Sequence, residues 1–190
     1  SSDLPIGKGD CVLEIGAGCG AITGALARKA KSVHCIELSK KRSYINAYRN
    51  KACDNVKILM GNFQEIEKKL TETYDYITLI GVFEYADGYI SGDEPYQEML
   101  EVIKKHLVPH GKIVIAIENR LGMKYWAGCT EDHTGRYFEG IEGYTDTRGV
   151  RTFSKKEWEQ MIAAAGLKAE FYYPYPDYKF PLALYSDHYL

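Results

Sequence analysis

A doubly wound α/β domain with a mostly parallel sheet is the fold class this sequence predicts, and three observations carry it. Short apolar runs alternate with segments of helical periodicity along most of the chain. The first apolar run opens into a glycine cluster, Gly16-Ala17-Gly18-Cys19-Gly20. An acidic residue, Glu37, then closes the second run, 19 residues after Gly18. Length agrees: 190 residues make one domain at the usual ~100–200 residues per domain.

Cys11 to Ile15 reads as the first strand. The helix after the glycines places Ile22, Leu26 and Ala30 on one face. Val33 to Leu38 is the second strand, and Ser39 is the N-cap of a helix expected to bury Tyr44, Ile45, Tyr48 and Ala52. Val56 to Met60 is strand three, with Phe63, Ile66 and Leu70 marking a short helix. Tyr76 to Phe83 is apolar almost throughout, as a strand covered on both faces must be. Met99, Leu100, Ile103 and Leu107 stripe the next helix, the turn Val108-Pro109-His110-Gly111 follows, and Lys112 to Ile117 is strand five. Residues 119–152 break the rhythm and read as a loop insert. Ser154 and Glu157 form a capping box for a helix through Trp158, Met161, Ile162 and Ala165, closed by Gly166. Ala169 to Tyr173 and Leu182 to Tyr185 complete a seven-stranded sheet.

Charge and composition exclude several classes. The 24 basic and 26 acidic residues give a net charge of −2, against a non-specific nucleic-acid binder. No apolar run approaches the ~20 residues of a membrane span, and no signal peptide is visible. The five cysteines are scattered without a C-x-x-C pair, which fits packing in a reducing cytoplasm. The 16 tyrosines concentrate toward the end of the chain, where Pro174, Pro176 and Pro181 confine them to sheet edges and turns.

In a doubly wound sheet, ligands sit at the carboxyl ends of the strands. Glycines there let backbone approach a ligand closely, and an acid some 20 residues on can accept both hydroxyls of a ribose. The spacing G-x-G-x-G with Ala21 leaves two cofactor classes open: a nicotinamide dinucleotide, as in an oxidoreductase, or an adenosine cofactor without pyrophosphate. Glu14, two residues before the first glycine, favours the second, because an acid is ill placed beside a pyrophosphate and well placed beside an amino group.

The stretch Leu13-Glu14-Ile15-Gly16-Ala17-Gly18-Cys19-Gly20 resembles the first motif of the class I S-adenosylmethionine-dependent methyltransferases. The resemblance covers roughly residues 9–118 and 153–173, and it implies the Rossmann-like methyltransferase fold, whose last strand can run antiparallel. It implies S-adenosylmethionine as cofactor, with S-adenosylhomocysteine as product. By the same resemblance Glu14, Gly16, Ala17, Gly18 and Gly20 form the first cofactor motif, Glu37 binds the ribose and Leu38 packs on adenine. Asn62 and Phe63 would read the adenine edge, Ile80, Gly81 and Val82 would line the methionine moiety, and Tyr85 stands where many relatives carry histidine. The helix that usually precedes strand one is missing, so the chain reads as a single domain excised from a longer protein with flanking domains.

The insert at 119–152 begins over the expected methyl group, and loops this long in a compact domain are usually functional. Methyl transfer to a hydroxyl benefits from a general base. His133, flanked by Asp132, is the first candidate base and Glu118 the second. Arg120 and Arg136 can hold an anionic acceptor group, while Tyr125 and Trp126, with Tyr137, Phe138 and Tyr144, can stack on a flat ligand face or cover the sheet edge. The spacing of Cys129, Glu131 and His133 matches no common metal site, so no metal is expected. The wording of the insert is similar to methyltransferase domains in bacterial multidomain proteins with glycosyltransferases, which implies a small-molecule or carbohydrate-like acceptor, and no nucleic-acid or membrane partner. A non-catalytic S-adenosylmethionine-binding module of a larger protein is the standing alternative.

Overall fold

The computed structural model describes residues 5–145, 147–176 and 180–187. Five strands form one parallel sheet: β1 (Cys11–Ile15), β2 (Ser32–Glu37), β3 (Val56–Met60), β4 (Tyr74–Ile80) and β5 (Leu107–Ala116). Their order is β3-β2-β1-β4-β5, so the chain winds outward twice from a central pair, β1 and β4. The register runs Ile15↔Ile36, Glu37↔Met60, Ile15↔Leu79 and Ile80↔Ala116. Strand carboxyl ends therefore finish close to one level, and the loops that leave them share one rim. The reversal of strand order falls between β1 and β4, which is where such sheets open a crevice.

Helices α1 (Ala21–Lys29), α2 (Lys40–Arg49), α3 (Phe63–Ile66) and α4 (Pro95–Lys105) connect the strands. A 3-10 turn, Phe83–Gly88, leaves the end of β4. The larger core lies on the face of Leu13, Ile15, Ile77 and Leu79 with Met99, Leu100 and Ile103 of α4 and Trp158 of the later helix. Val12, Val33 and Cys35 pack on the other face against Leu26 and Ala27 of α1. Met99, Leu100 and Ile103 of the stripe read on α4 are buried, whereas Leu107 lies past its end and opens β5 half-buried.

Helix α2 departs from expectation. Tyr44, Ile45 and Tyr48 are exposed, while Ser43 and Asn46 are buried. The reason is chemical: Asn46 donates to the Thr23 hydroxyl at 3.1 Å, and the Asn50 amide donates to the Gly20 carbonyl at 3.0 Å. This polar seam fastens α2 to the glycine turn, and an apolar face there would strand the backbone groups of that turn.

The turn at Val108 to Gly111 lies inside the span of β5, but pairing jumps from Tyr74↔Leu107 to Tyr76↔Lys112 and His110 takes a φ of 69°. Those four residues loop out of the ladder. The insert after β5 carries two four-residue helices, α5 (Met123–Trp126) and α6 (Glu139–Glu142), and its ends meet at an Asn119↔Phe153 bridge. Helix α7 (Lys155–Ala164) opens on the expected capping box of Ser154 and Glu157. Strands β6 (Tyr172–Tyr175) and β7 (Ala183–Ser186) are antiparallel, as the resemblance allows, yet they form a separate ribbon. Among the described residues the seven strands are thus divided five and two. Among the described residues, no helix is long and apolar enough to cross a membrane.

Candidate active site

A cleft of about 480 Å³ opens at the β1–β4 switch, lined by residues that include Gly16, Gly18, Glu37, Leu38, Gly61, Phe63, Gly81, Val82 and Tyr85. That volume falls within the ~300–1,000 Å³ usual for small-molecule sites. Gly16 and Gly18 adopt φ of 75° and 54°, a left-handed backbone that favours glycine. A Cβ on Gly16 would stand 2.3 Å from Val82 Cγ2, whereas one on Gly18 would meet nothing within 4 Å. Gly16 is therefore glycine so that the two strand ends can touch. Gly18 leaves open room above the backbone, as a cradle for a ligand must.

Glu37 closes the far wall with its carboxylate fully organised. Its Oε2 accepts from Gly18 N–H at 2.8 Å, and its Oε1 accepts from Ser39 N–H at 2.7 Å and Arg42 Nε at 2.9 Å. A second Arg42 nitrogen lies 2.8 Å from the same oxygen. Oε2 keeps a lone pair on the cleft side of the glycine turn, so the group fits a ribose hydroxyl donor.

Beyond Tyr85, a buried polar cluster sits where β4 and β5 end. His133 Nε2 faces Glu84 Oε1 at 3.6 Å and Glu118 Oε2 at 3.8 Å, and the Tyr85 ring meets the imidazole edge-on at 5.6 Å. Glu131 anchors the other side of the ring: its Oε1 accepts from Nδ1 at 2.8 Å, and its Oε2 accepts the backbone N–H groups of His133 and Thr134. Burial pushes the Glu131 carboxyl up, but hydrogen bonds from His133 and Thr134 outweigh it and bring the pKa down to about 2. The Glu131 hydrogen bond and the Glu84 carboxylate raise His133 to about 10 against the opposing effect of burial. With only carboxylates facing it the ring favours the protonated form, a poor base but a strong orienting charge.

Several expected residues stand elsewhere. Alternation along β1 turns Glu14 away from the cleft, with Val12, toward α1. There its carboxylate accepts from the Thr23 hydroxyl and meets Cys35 Sγ at 3.5 Å. Burial lifts its pKa from 4.5 to about 7. Ala17 is buried in the α1-side core, and Gly20 is glycine because a Cβ would strike Asn46 Oδ1 at 2.2 Å. Asn62 caps α3 through Gln64 N–H, between the lining residues Gly61 and Phe63, and Ile80 precedes the lining pair Gly81 and Val82.

In the insert, the Arg120 guanidinium is committed to Glu157 at 2.7 Å and to the carbonyls of Gly140 and Ile141, which tie the insert to α7 and leave little for an acceptor anion. Tyr125 is buried, its hydroxyl on Asp132, so its ring offers no free stacking face. Trp126 is exposed with its indole N–H on the Leu121 carbonyl, and Arg136 is exposed with a nitrogen 3.7 Å from Glu139. Asp132 serves Lys124 and Tyr125 rather than His133.

Sequence reasoning missed Arg42, Tyr89 and Met99 on the cleft wall, and it weighed Glu131 only as a metal ligand beside Cys129, not as the partner of His133 Nδ1. Two of these carried a signal: Arg42 lies five residues past Glu37 on the first turn of α2, and Glu131 precedes His133 at the spacing of a local side-chain-to-backbone turn.

Comparison with known proteins places residues 13–113 within the family described as "methyltransferase domain". A probable cobalt-precorrin-6B C(15)-methyltransferase (decarboxylating) of Methanothermobacter thermautotrophicus is 30% identical over 112 residues, covering 57% of this chain and 53% of that protein. Ribosomal RNA small subunit methyltransferase A of Syntrophus aciditrophicus is 28% identical over 107 residues, covering 56% of this chain and 35% of that protein. The chain thus matches about a third to about half of the length of these curated relatives. The crystal structure of a SAM-dependent methyltransferase from Methanosarcina mazei superposes with a TM-score of 0.62 at 12% identity, covering 93% of this chain and 89% of that one.

Proposed function

The chain belongs to the methyltransferase domain family, class I and S-adenosylmethionine-dependent, and from that premise we propose that it methylates a small-molecule acceptor seated between the cleft and the His133 cluster. The observation that carries this reading is the glycine cradle facing Glu37, with Gly18 N–H and the carboxylate joined at 2.8 Å. When bound there, S-adenosylmethionine supplies an activated methyl and its own leaving group. The chain's task is then to position and to manage charge.

Glu37, Leu38 and Phe63 line the cleft, where Glu37 would take the ribose hydroxyls and Leu38 and Phe63 would pack on the adenine. Val82 and Tyr85 border the reacting end. The acceptor side is Tyr85 with Glu84, Glu118 and His133. Glu118 and Glu84 are the proton acceptors of this reading. His133, held by Glu131, orients them and the acceptor, which revises the expectation of a free imidazole base. A net charge of −2 and a buried acidic pocket support a small, polar acceptor over a nucleic acid. A carbohydrate is one such acceptor, and flanking domains that deliver it remain part of the proposal.

Titration calorimetry with S-adenosylhomocysteine and with NADH tests the cofactor. A release assay across sugar nucleotides, amines and phenols tests turnover. Tight S-adenosylhomocysteine binding with turnover of at least one acceptor is expected. NADH binding in its place overturns the reading, and binding without any turnover favours the non-catalytic module. His133→Asn, by loosening the placement of Glu84, Glu118 and the acceptor, is expected to cut turnover about 10²-fold while sparing cofactor affinity.

A further inference from the structure

One imidazole and two carboxylates converge on a single point at the ends of β4 and β5. One donor atom from each of Glu84, Glu118 and His133 lies within 4.8 Å of the other two. The His133 gaps to Glu84 and Glu118 are 3.6 and 3.8 Å, longer than hydrogen bonds. Side-chain exposures are only 3%, 5% and 9% for Glu84, Glu118 and His133. Glu84 Oε2 is buried with no hydrogen-bond partner among the described residues. An oxygen in that condition is costly unless a cation or donor answers it.

We propose that Glu84, Glu118 and His133 bind one divalent metal ion, through one oxygen of each carboxylate and Nε2 of the imidazole. Ligands held at ~2.1 Å around one ion in a tetrahedral arrangement stand about 3.4 Å apart. The observed 3.6 and 3.8 Å lie a few tenths beyond that, within reach of small side-chain rotations. The surroundings of His133 complete the pattern. Glu131 accepts a hydrogen bond from Nδ1–H at 2.8 Å, which leaves Nε2 as the ring nitrogen facing the two carboxylates and able to present a lone pair to a metal ion. Glu131 is itself locked by backbone N–H groups of His133 and Thr134 and by the Tyr144 hydroxyl at 3.1 Å. A histidine so braced by a buried carboxylate is the usual support of a metal ligand. A proton on Nε2 would answer the charge but leave both gaps too long and Glu84 Oε2 unbonded.

One imidazole with two carboxylates is a mixed nitrogen and oxygen set, which suits Mn²⁺, Fe²⁺ or Zn²⁺ more than Ca²⁺. Three protein ligands leave a position for water or for an acceptor oxygen. Metal binding is read without cofactor or acceptor, so its outcome is separate from that of the transferase reading.

The test uses the whole chain, stripped with a chelator and titrated with MnCl₂ under electron paramagnetic resonance, with CaCl₂ as the comparison ion. One equivalent of bound Mn²⁺ is expected, with ¹⁴N coupling from an imidazole in the pulsed spectrum, and a melting temperature that rises with Mn²⁺. Glu84→Gln and His133→Asn should abolish site binding, and His133→Asn should remove the ¹⁴N coupling. Glu131→Gln should weaken binding about 10–100-fold without removing the coupling. Asp54→Asn, an exposed acid far along the chain, should change nothing. No Mn²⁺ bound at millimolar concentration overturns the proposal. Binding that survives both ligand substitutions, or that lacks the ¹⁴N signature in the wild-type chain, overturns it equally. Should a variant fail to fold, the wild-type stoichiometry and ¹⁴N coupling still decide.

Discussion

Replacing Glu37 by Gln removes one charge and alters one atom of a four-donor cluster, and its consequences can be worked through donor by donor. Oε1 accepts from Ser39 N–H and from two Arg42 nitrogens, while Oε2 accepts from Gly18 N–H. The amide oxygen of Gln will therefore take the Oε1 place, where three donors converge. Its NH₂ then confronts the Gly18 N–H, donor against donor. One charge-assisted bond is lost outright and the rest become neutral at the acceptor, a loss of about 2–3 kcal/mol. For a chain of 190 residues that corresponds to a melting temperature lower by about 5–10 °C. Cofactor binding suffers separately, because the lone pair of Oε2 that would meet the ribose becomes a donor. A loss of about 1–3 kcal/mol, or roughly 5–150-fold in Kd, is expected. Thermal melts and titration calorimetry with S-adenosylhomocysteine separate the two effects. A lowered melting temperature with unchanged affinity would remove the ribose role and leave Glu37 a fastener of the glycine turn. If neither quantity moves, the donor-by-donor reasoning is refuted.

Gly16→Ala puts a Cβ against Val82 at a φ of 75°, and should cost on the order of 1–3 kcal/mol in urea unfolding together with cofactor affinity. Glu157 is raised by burial but lowered further by Ser154 and Arg120, to about 2. Its stabilisation is present above its ordinary pKa of 4.5 and lost as pH falls toward 2, so Glu157→Gln should flatten that acid limb in melts between pH 2 and 6. Glu14 has the opposite sign: its folded pKa of about 7 favours the neutral acid, so stability is full below 4.5 and declines as pH rises through 7. Glu14→Gln should abolish that decline, on the order of 2–3 kcal/mol by pH 9, read by urea unfolding at pH 5 and pH 9. Arg120→Ala should lower the melting temperature while leaving S-adenosylhomocysteine affinity unchanged; a selective loss of acceptor turnover would return Arg120 to substrate binding.

What could be read from the sequence divides along a physical line. The order and type of elements through β5 were legible because each obeys a local period, and Leu26, Met99 and Ile103 are buried where that period puts them; bounds shifted at β4, which ends at Ile80 rather than Phe83, and at β5, which begins at Leu107 rather than Lys112. The placement of Gly16, Gly18 and Glu37 on one cleft wall was legible because it follows from backbone conformation and strand ends, which the motif spacing encodes. The polar face of α2 was not, since Tyr44, Ile45 and Tyr48 outscore Ser43 and Asn46 on any hydrophobic count. What decides that face is a set of unsatisfied groups on the glycine turn, and these exist only once the chain is folded. The insert escaped for a related reason. Its charged residues are paired by tertiary contacts across long separations, Arg120 with Glu157 and His133 with Glu84, and no local pattern announces them.

This division bears on where the chemistry of the domain resides. The cofactor side is built from elements with strong local signals, so a shared motif is enough to specify it. The proposed acceptor side lies under an insert whose ends are pinned by Arg120 and by the Asn119↔Phe153 bridge, and whose one histidine faces two strand-end glutamates. Arg120, bonded to Glu157 and to the Gly140 and Ile141 carbonyls, fastens the scaffold that carries His133. On the proposed function, acceptor specificity would diverge by changes in the insert while α7 and the sheet keep its ends fixed. Swapping residues 121–150 between members of this family, with Arg120 and Glu157 retained, should transfer acceptor preference without loss of cofactor affinity. A swap that folds, binds S-adenosylhomocysteine normally and keeps its original acceptor would show that the insert is a lid rather than the source of selectivity.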